Sequence, residues 1–123
     1  FDDAKKMNLK KLTLFGSGNP RREFISSHDI ASAAIFMMEQ NKVVENSHFN
    51  IGTGVETSIK ELAFMIALKV GYKGEILWDI SKPDGRSNKL LDSSKINKLG
   101  WSSSIDIKAG LDLTFNWYKK NYG

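Results

Sequence analysis

The sequence contains no cysteine, which excludes a disulfide framework and a thiolate metal site and is compatible with a reducing compartment. Histidine is scarce. His28 and His48 are the only two, and they fall well outside the i, i+4 spacing that puts two imidazoles on one helix face, so a zinc site is not expected. Long apolar runs are missing too: none approaches the about eighteen residues of a membrane span, and the opening residues do not read as a basic-then-apolar export leader. The expectation is a cytoplasmic protein with no membrane partner. No internal repeat or low-complexity tract is visible, which argues against a solenoid.

What is present is ordinary for a folded domain. A chain of 123 residues has room for one domain with a modest core, and 41% hydrophobic with 26% charged residues is globular composition rather than disorder. The formal net charge of +4 suits an anionic partner only weakly. Lys5, Lys6, Lys10 and Lys11 crowd the start, and Lys119 and Lys120 the far end. A nucleic-acid binder would interleave aromatics along such a basic stripe. Here the aromatics fall at apolar-periodic positions, so the lysines read as solvated faces and no nucleic-acid partner is expected. The chain opens at Phe1, and Phe1 to Lys6 reads like the middle of a helix, which points to a piece of a longer protein.

Local patterns alternate between strand and helix. Lys11 to Phe15 has strand composition and runs into the turn residues Gly16-Ser17-Gly18-Asn19-Pro20. Glu23 to Ile25 reads as a short extended stretch, and Asp29 as the N-cap of a helix continuing to about Glu39. That helix carries Ile30, Ala33, Ala34, Ile35, Met37 and Met38, too many apolar positions for burial on one side only. His48 to Ile51 is a second strand candidate. Ser58-Ile59-Lys60-Glu61 is a capping box opening a helix with Leu62, Met65, Ile66 and Val70 on one face and Gly71 as its stop. Ile76 to Trp78 reads as a third strand, Ser93 to Gly100 as a short helix, and Ile107 to Tyr118 as an amphipathic one. This alternation predicts an α/β fold with part of a parallel sheet.

Neither glycine cluster, Gly16-Ser17-Gly18 or Gly52-Thr53-Gly54, is a dinucleotide fingerprint, which needs a third glycine and a helix opening directly behind the loop. No phosphate-loop lysine follows either one, and no tyrosine stands four residues before a lysine. His28, beside Asp29, reads better as a helix-start residue than as a general base. On residues alone there is no catalytic constellation, but there is binding chemistry. Arg21 and Arg22 follow a proline turn, and guanidinium forks suit phosphate and diol oxygens. Asp84 occupies a Pro-Asp-Gly turn past a strand end, a usual address for ligand contacts, and Lys89 follows it. Solvated surface charge accounts for these four equally well.

Gly16-Ser17-Gly18-Asn19-Pro20-Arg21-Arg22-Glu23-Phe24-Ile25 followed by Asp29-Ile30-Ala31 resembles the extended short-chain dehydrogenase/reductase family where it enters its substrate domain. Asn50-Ile51-Gly52-Thr53-Gly54, Val70-Gly71-Tyr72-Lys73-Gly74, Ser81-Lys82-Pro83-Asp84-Gly85, Lys89-Leu90-Leu91-Asp92 and Leu99-Gly100-Trp101 are similar to the GDP-L-fucose synthases within it. The resemblance implies that residues 1–123 form a single C-terminal substrate-binding domain, lacking most of the Rossmann domain. It implies a parent enzyme that uses NADP(H) to epimerise and reduce a GDP-linked 4-keto-6-deoxymannose, a homodimer through the other half. Carried over position by position, it implies GDP-sugar contacts at Phe15 (often tryptophan in the family), Arg22, Asp84 and Lys89. The cofactor glycine motif and the catalytic groups of the family have no counterpart here, so the resemblance assigns no catalytic and no NADP-binding residue to this chain. A matching piece of another nucleotide-sugar epimerase, and a non-catalytic nucleotide-sugar-binding module, remain as alternatives.

Overall fold

The computed structural model describes residues 1–40 and 48–122. The chain begins with helix α1 (Asp2–Lys6) and strand β1 (Lys11–Phe15). Along β1, Leu12 and Leu14 are half-buried between exposed neighbours, the period of a strand with one face against a core. Its partner is β4 (Glu75–Asp79), which runs parallel to it from Lys11 opposite Glu75 to Phe15 opposite Asp79. Parallel strands need a long crossover, and here it holds helix α2 (Ser27–Met38), helix α3 (Ile59–Val70) and a second ribbon. The ribbon pairs β2 (Arg21–Glu23) with β3 (Glu56–Ser58), antiparallel, Arg22 opposite Thr57. Helices α4 (Ser94–Leu99) and α5 (Ile107–Tyr122) complete the order.

Helix α3 forms for the reasons its sequence declares. Glu61 N–H donates to Ser58 Oγ at 3.1 Å, and Ser58 N–H donates back to Glu61 Oε2 at 2.7 Å, satisfying two of the helix's orphan donors. Gly71 stops it in the left-handed region at φ +78°, where a side chain would be strained. Ala63, Ala67 and Val70 are its buried face.

The core is in two parts. Beneath β1 and β4, Ala4, Ala67 and Tyr72 pack with Phe1, Leu12 and Ile76, and the Phe1 and Tyr72 rings meet edge to face at 5.8 Å. Around α2 and α4, Ala33, Ile96 and Trp101 pack with Ile25, Phe36, Met37, Phe49 and Ile51. The Trp101 indole N–H donates to Ser32 Oγ at 3.0 Å. The far side of α2 stays uncovered, as its excess of apolar positions implied: Ala33 is fully buried, while Ile30, Ile35 and Met38 are exposed. No helix of the described residues is long and apolar enough to cross a membrane.

Several expectations need correction. Asp29 is not an N-cap. Ser26 caps α2, its Oγ accepting the His28 N–H at 3.3 Å, and Asp29 lies inside the first turn, 2% exposed. Its carboxylate accepts from Ser104 N–H at 3.1 Å, Ser104 Oγ–H at 2.9 Å and Ile105 N–H at 3.0 Å, so a distant turn claims the side chain. Residues 48–51 are not a strand. Phe49 and Ile51 reach the core from irregular chain, and the Asn50 side-chain amide donates to Asp92 O at 3.1 Å. The strand of this region comes later, at Glu56–Ser58. The extended stretch placed at Glu23 to Ile25 is paired only over Arg21–Glu23. Helix α5 runs past Tyr118 to Tyr122, tied back to α1 by the Tyr118 hydroxyl, which donates to Asp2 Oδ2 at 3.0 Å.

Candidate functional site

The ends of β1 and β4 and the start of β2 converge, which brings together two loops distant in sequence. β1 ends at Phe15, 75% exposed. The chain then turns through Gly16 and Gly18, both left-handed at φ +79° and +75°. On the other side, β4 leads into residues 80–87, whose start is pinned by Asp79: Oδ1 accepts from Ser81 N–H at 3.1 Å and Ser81 Oγ–H at 2.6 Å. The two loops meet at Asp84, whose Oδ1 accepts the Ser17 N–H at 2.8 Å and whose Oδ2 accepts the Ser17 hydroxyl at 2.6 Å. The Ser17 hydroxyl first, and then its N–H, hold the Asp84 carboxyl below its usual value.

Phe15, Arg22 and Asp84 line one cavity of about 140 Å3, walled also by Gly16, Gly18, Pro20, Ile59, Pro83 and Gly85. Arg22 is half-buried in β2; its Nη1 donates to Arg21 O at 2.6 Å, and its Nη2 lies 3.0 Å from where a side chain on Gly85 would begin. No carboxylate among the described residues forms an ion pair with it. Arg21, by contrast, is occupied by the fold: Nη2 donates to Glu56 O at 2.8 Å and Nη1 lies 3.5 Å from Glu61 Oε2. Lys89 is exposed on the segment beyond Asp84 and is not part of the cavity wall. Three of the four expected positions are thus brought together, and the fourth is not.

Sequence reasoning missed three participants. Ser17 supplies the bonds to Asp84. Lys82 stands over the Phe15 ring with Nζ 5.8 Å from its centroid, a weak cation–π arrangement at this exposure. Glu23 organises the second glycine turn: Oε1 accepts the Gly54 N–H at 2.7 Å, and Oε2 accepts the Leu91 N–H at 3.3 Å. These pairings cross 31 to 68 residues of sequence, so no local signal announced them.

A larger cavity, about 620 Å3, lies elsewhere, between residues 24–28, Leu62 and the stretch from Ile105 to Trp117. Its walls are mainly apolar, and apart from His28, Asp106 and a few hydroxyls they offer nothing to a charged ligand. It contains none of the four expected residues. The smaller cavity, with a guanidinium that no carboxylate of the described residues pairs and an exposed aromatic ring, has the chemistry for an anionic ligand with a flat moiety.

Comparison with known proteins gives a consistent picture. A family model described as the NAD dependent epimerase/dehydratase family matches residues 2–52. The chain is 43% identical over 128 aligned positions, 98% of its length, to the GDP-L-fucose synthase of Escherichia coli (strain K12), covering 40% of that protein. Across the first curated relatives it matches, it spans 36% to 40% of their length. Among solved structures, a GDP-L-fucose synthetase from Naegleria fowleri bound to NADP superposes with a TM-score of 0.87 at 25% identity, over 98% of this chain and 38% of that one. A GDP-6-OMe-4-keto-L-xylo-heptose reductase from Campylobacter jejuni matches with a TM-score of 0.81 at 38% identity, over 97% of this chain and 38% of that one. The α/β fold is that of a portion of these epimerase and reductase structures.

Proposed function

We propose that this chain is the GDP-sugar-binding, C-terminal portion of an NADPH-dependent GDP-L-fucose synthase, an enzyme that converts GDP-4-keto-6-deoxy-D-mannose to GDP-L-fucose by epimerisation and reduction. The observation that carries the reading is the convergence of Phe15, Arg22 and Asp84 on one cavity, in a chain similar to such enzymes over nearly all its length. Arg22 meets the diphosphate, for which its planar fork is suited. Phe15 offers a ring face to the base or the sugar; where the family often has tryptophan, phenylalanine keeps that face and gives up an indole N–H. Lys89, outside the cavity wall, reaches the ligand's rim with its flexible stem.

The nicotinamide cofactor is a poor match to the described residues. Both glycine turns already give a backbone N–H to a carboxylate of this chain. A side chain on Gly52 would begin 2.5 Å from Glu23 Oε1, which takes the Gly54 N–H, and one on Gly16 would begin 2.5 Å from Asp84 Oδ1, which takes the Ser17 N–H. A pyrophosphate seated on those turn N–H groups would be repelled, whereas the diphosphate proposed above is assigned to the Arg22 guanidinium and not to the turn. The reading therefore assigns the sugar nucleotide to this chain and derives no hydride or proton step from it. A related reading, a reductase of another GDP-linked sugar, is favoured by the similarity to the heptose reductase; it shares the GDP end and differs only at the sugar.

Calorimetric titration of GDP onto the chain, with UDP as control, tests both. Saturable GDP binding is expected, and Arg22→Ala should weaken it by roughly ten- to a hundredfold, the loss of one or two charged hydrogen bonds. NADPH should show no saturable binding. Absence of GDP binding, or binding indifferent to Arg22→Ala, would overturn the reading.

A further inference from the structure

We propose that Ser17 is a positioning residue of the nucleotide cavity, which holds Asp84 and through it sets the 83–85 wall against Phe15 and Arg22. The proposal rests on the GDP-sugar reading above and extends it to a residue outside the expected contacts.

A carboxylate beside a diphosphate needs explaining, because like charges at close range repel. Both Asp84 oxygens accept a bond from Ser17, at 2.8 Å and 2.6 Å, which holds the charged carboxylate on the Ser17 turn and leaves the diphosphate to Arg22. Such a two-pronged charged hydrogen bond fixes orientation as well as position. The turn around Ser17 is shaped to receive the acid. Gly16 leaves room that a Cβ, 2.5 Å from Asp84 Oδ1, would fill, and Gly18 lets the turn lie on the Trp78 ring, 2.7 Å from where its own Cβ would begin. Ser17 Oγ is itself oriented by accepting the Asn19 N–H at 3.1 Å.

The loop has three ties among the described residues. Its start is held by Asp79 through Ser81 and through the Lys82 N–H, which donates to Asp79 O at 3.2 Å. Its end is held by Arg21 N–H donating to Ser87 O at 2.7 Å. Between them the hydrogen bonds from Ser17 are the tie, and the segment they hold is the one that faces Arg22, whose Nη2 packs against Gly85. Removing the hydroxyl therefore loosens the cavity wall rather than the fold.

The test is GDP affinity, measured by calorimetry on the unaltered chain and its variants, alongside urea unfolding. Ser17→Ala should bind GDP about three- to tenfold more weakly, the equivalent of one charged hydrogen bond partly replaced by water. Ser17→Thr, which restores the hydroxyl, should return affinity to within about twofold of the unaltered chain. The double variant Ser17→Ala/Asp84→Ala should match Asp84→Ala alone, because two residues acting as one unit are not additive. Unfolding midpoints of Ser17→Ala and Ser17→Thr should coincide with that of the unaltered chain. Unchanged affinity in Ser17→Ala, multiplicative losses in the double variant, or an affinity loss that tracks a loss of stability and is not rescued by threonine each overturn the proposal while leaving the GDP reading intact. Failure of the unaltered chain to bind GDP overturns both.

Discussion

Asp29 and Asp84 each take the N–H and the hydroxyl of a single serine, Ser104 for the first and Ser17 for the second. Asp29 is buried in the first turn of α2, and accepts a third bond from Ile105 N–H; Asp84 is exposed at the cavity rim. Both carboxyls lie below their ordinary value, but against different opposition. Burial is the largest influence on Asp29 and pushes it up; the N–H groups of Ser104 and Ile105 and the Ser104 hydroxyl, with His28 nearby, outweigh it. Around Asp84 the Ser17 hydroxyl comes first and its N–H second, and burial, the smallest of the three influences, opposes them. The same chemical device thus serves two ends. Where water is excluded it holds the turn before α5 against the core, and where water is present it can only choose among loop positions, because water replaces any bond that breaks.

The largest expected effect follows from that difference. Asp29→Ala removes a buried carboxylate that accepts the N–H and hydroxyl of exposed Ser104 and the N–H of half-buried Ile105, and should cost about 3–4 kcal/mol of unfolding free energy. Asp84→Ala should leave the urea midpoint where it was and show its effect in GDP affinity. Equal destabilisation by the two substitutions would break the comparison, and would make the cavity fork part of the fold.

A second, smaller effect asks whether the exposed fork has a rigid base. Gly18 and Gly54 share a left-handed φ, +75° and +73°, but an alanine Cβ at 18 would begin 2.7–2.9 Å from the Trp78 ring, whereas at 54 nothing lies within 4 Å. Gly54→Ala should cost about 1 kcal/mol for the backbone alone, and Gly18→Ala about 2–3 kcal/mol once the ring clash is added. Chemical denaturation of both variants gives the numbers, with tryptophan fluorescence reporting the displaced ring. Equal costs would mean that the turn carrying Ser17 rests on nothing firm.

What was legible in the sequence follows the range of the interactions. The Ser58–Glu61 box and the stops at Gly71 and Gly100 are local, and all three form as written. β1 and β4 were visible from composition and pair in parallel as the alternation of elements implied. β3 was not visible, because its three residues overlap the cap of α3 and pair only through Arg21 to Glu23. Phe49 and Ile51 misled because two apolar residues two apart look like a strand face, while here they reach the core from irregular chain. Asp29 misled because a cap is a local explanation and its partners lie 75 and 76 residues away. Of the cavity, Phe15, Arg22 and Asp84 came from family resemblance, and residue chemistry alone did not separate them from surface charge. Ser17 came from neither, since a serine in a glycine turn has no signature until its partner is placed.

The last prediction sets the two carboxylates against acid. Each has a folded value depressed below the ordinary 3.8, so each contribution is fully present above that value and is lost as pH falls through the lower, folded one. For Asp29 the loss is a loss of stability. Unfolding free energy should decline below about pH 4, and the decline should flatten in Asp29→Asn, which no longer has a proton to take up. For Asp84, exposed to solvent, the linked loss of stability is small beside that of Asp29, and the change is read locally. The Ser17 amide signal, followed by proton–nitrogen correlation spectra during acidification, should shift with a midpoint below 3.8, because the N–H reports the charge on the oxygen it donates to. A Ser17 midpoint at or above the ordinary carboxyl value would mean the hydrogen bonds do not favour the charged form. The cavity fork would then be open in solution, and only the buried one would remain as a working device.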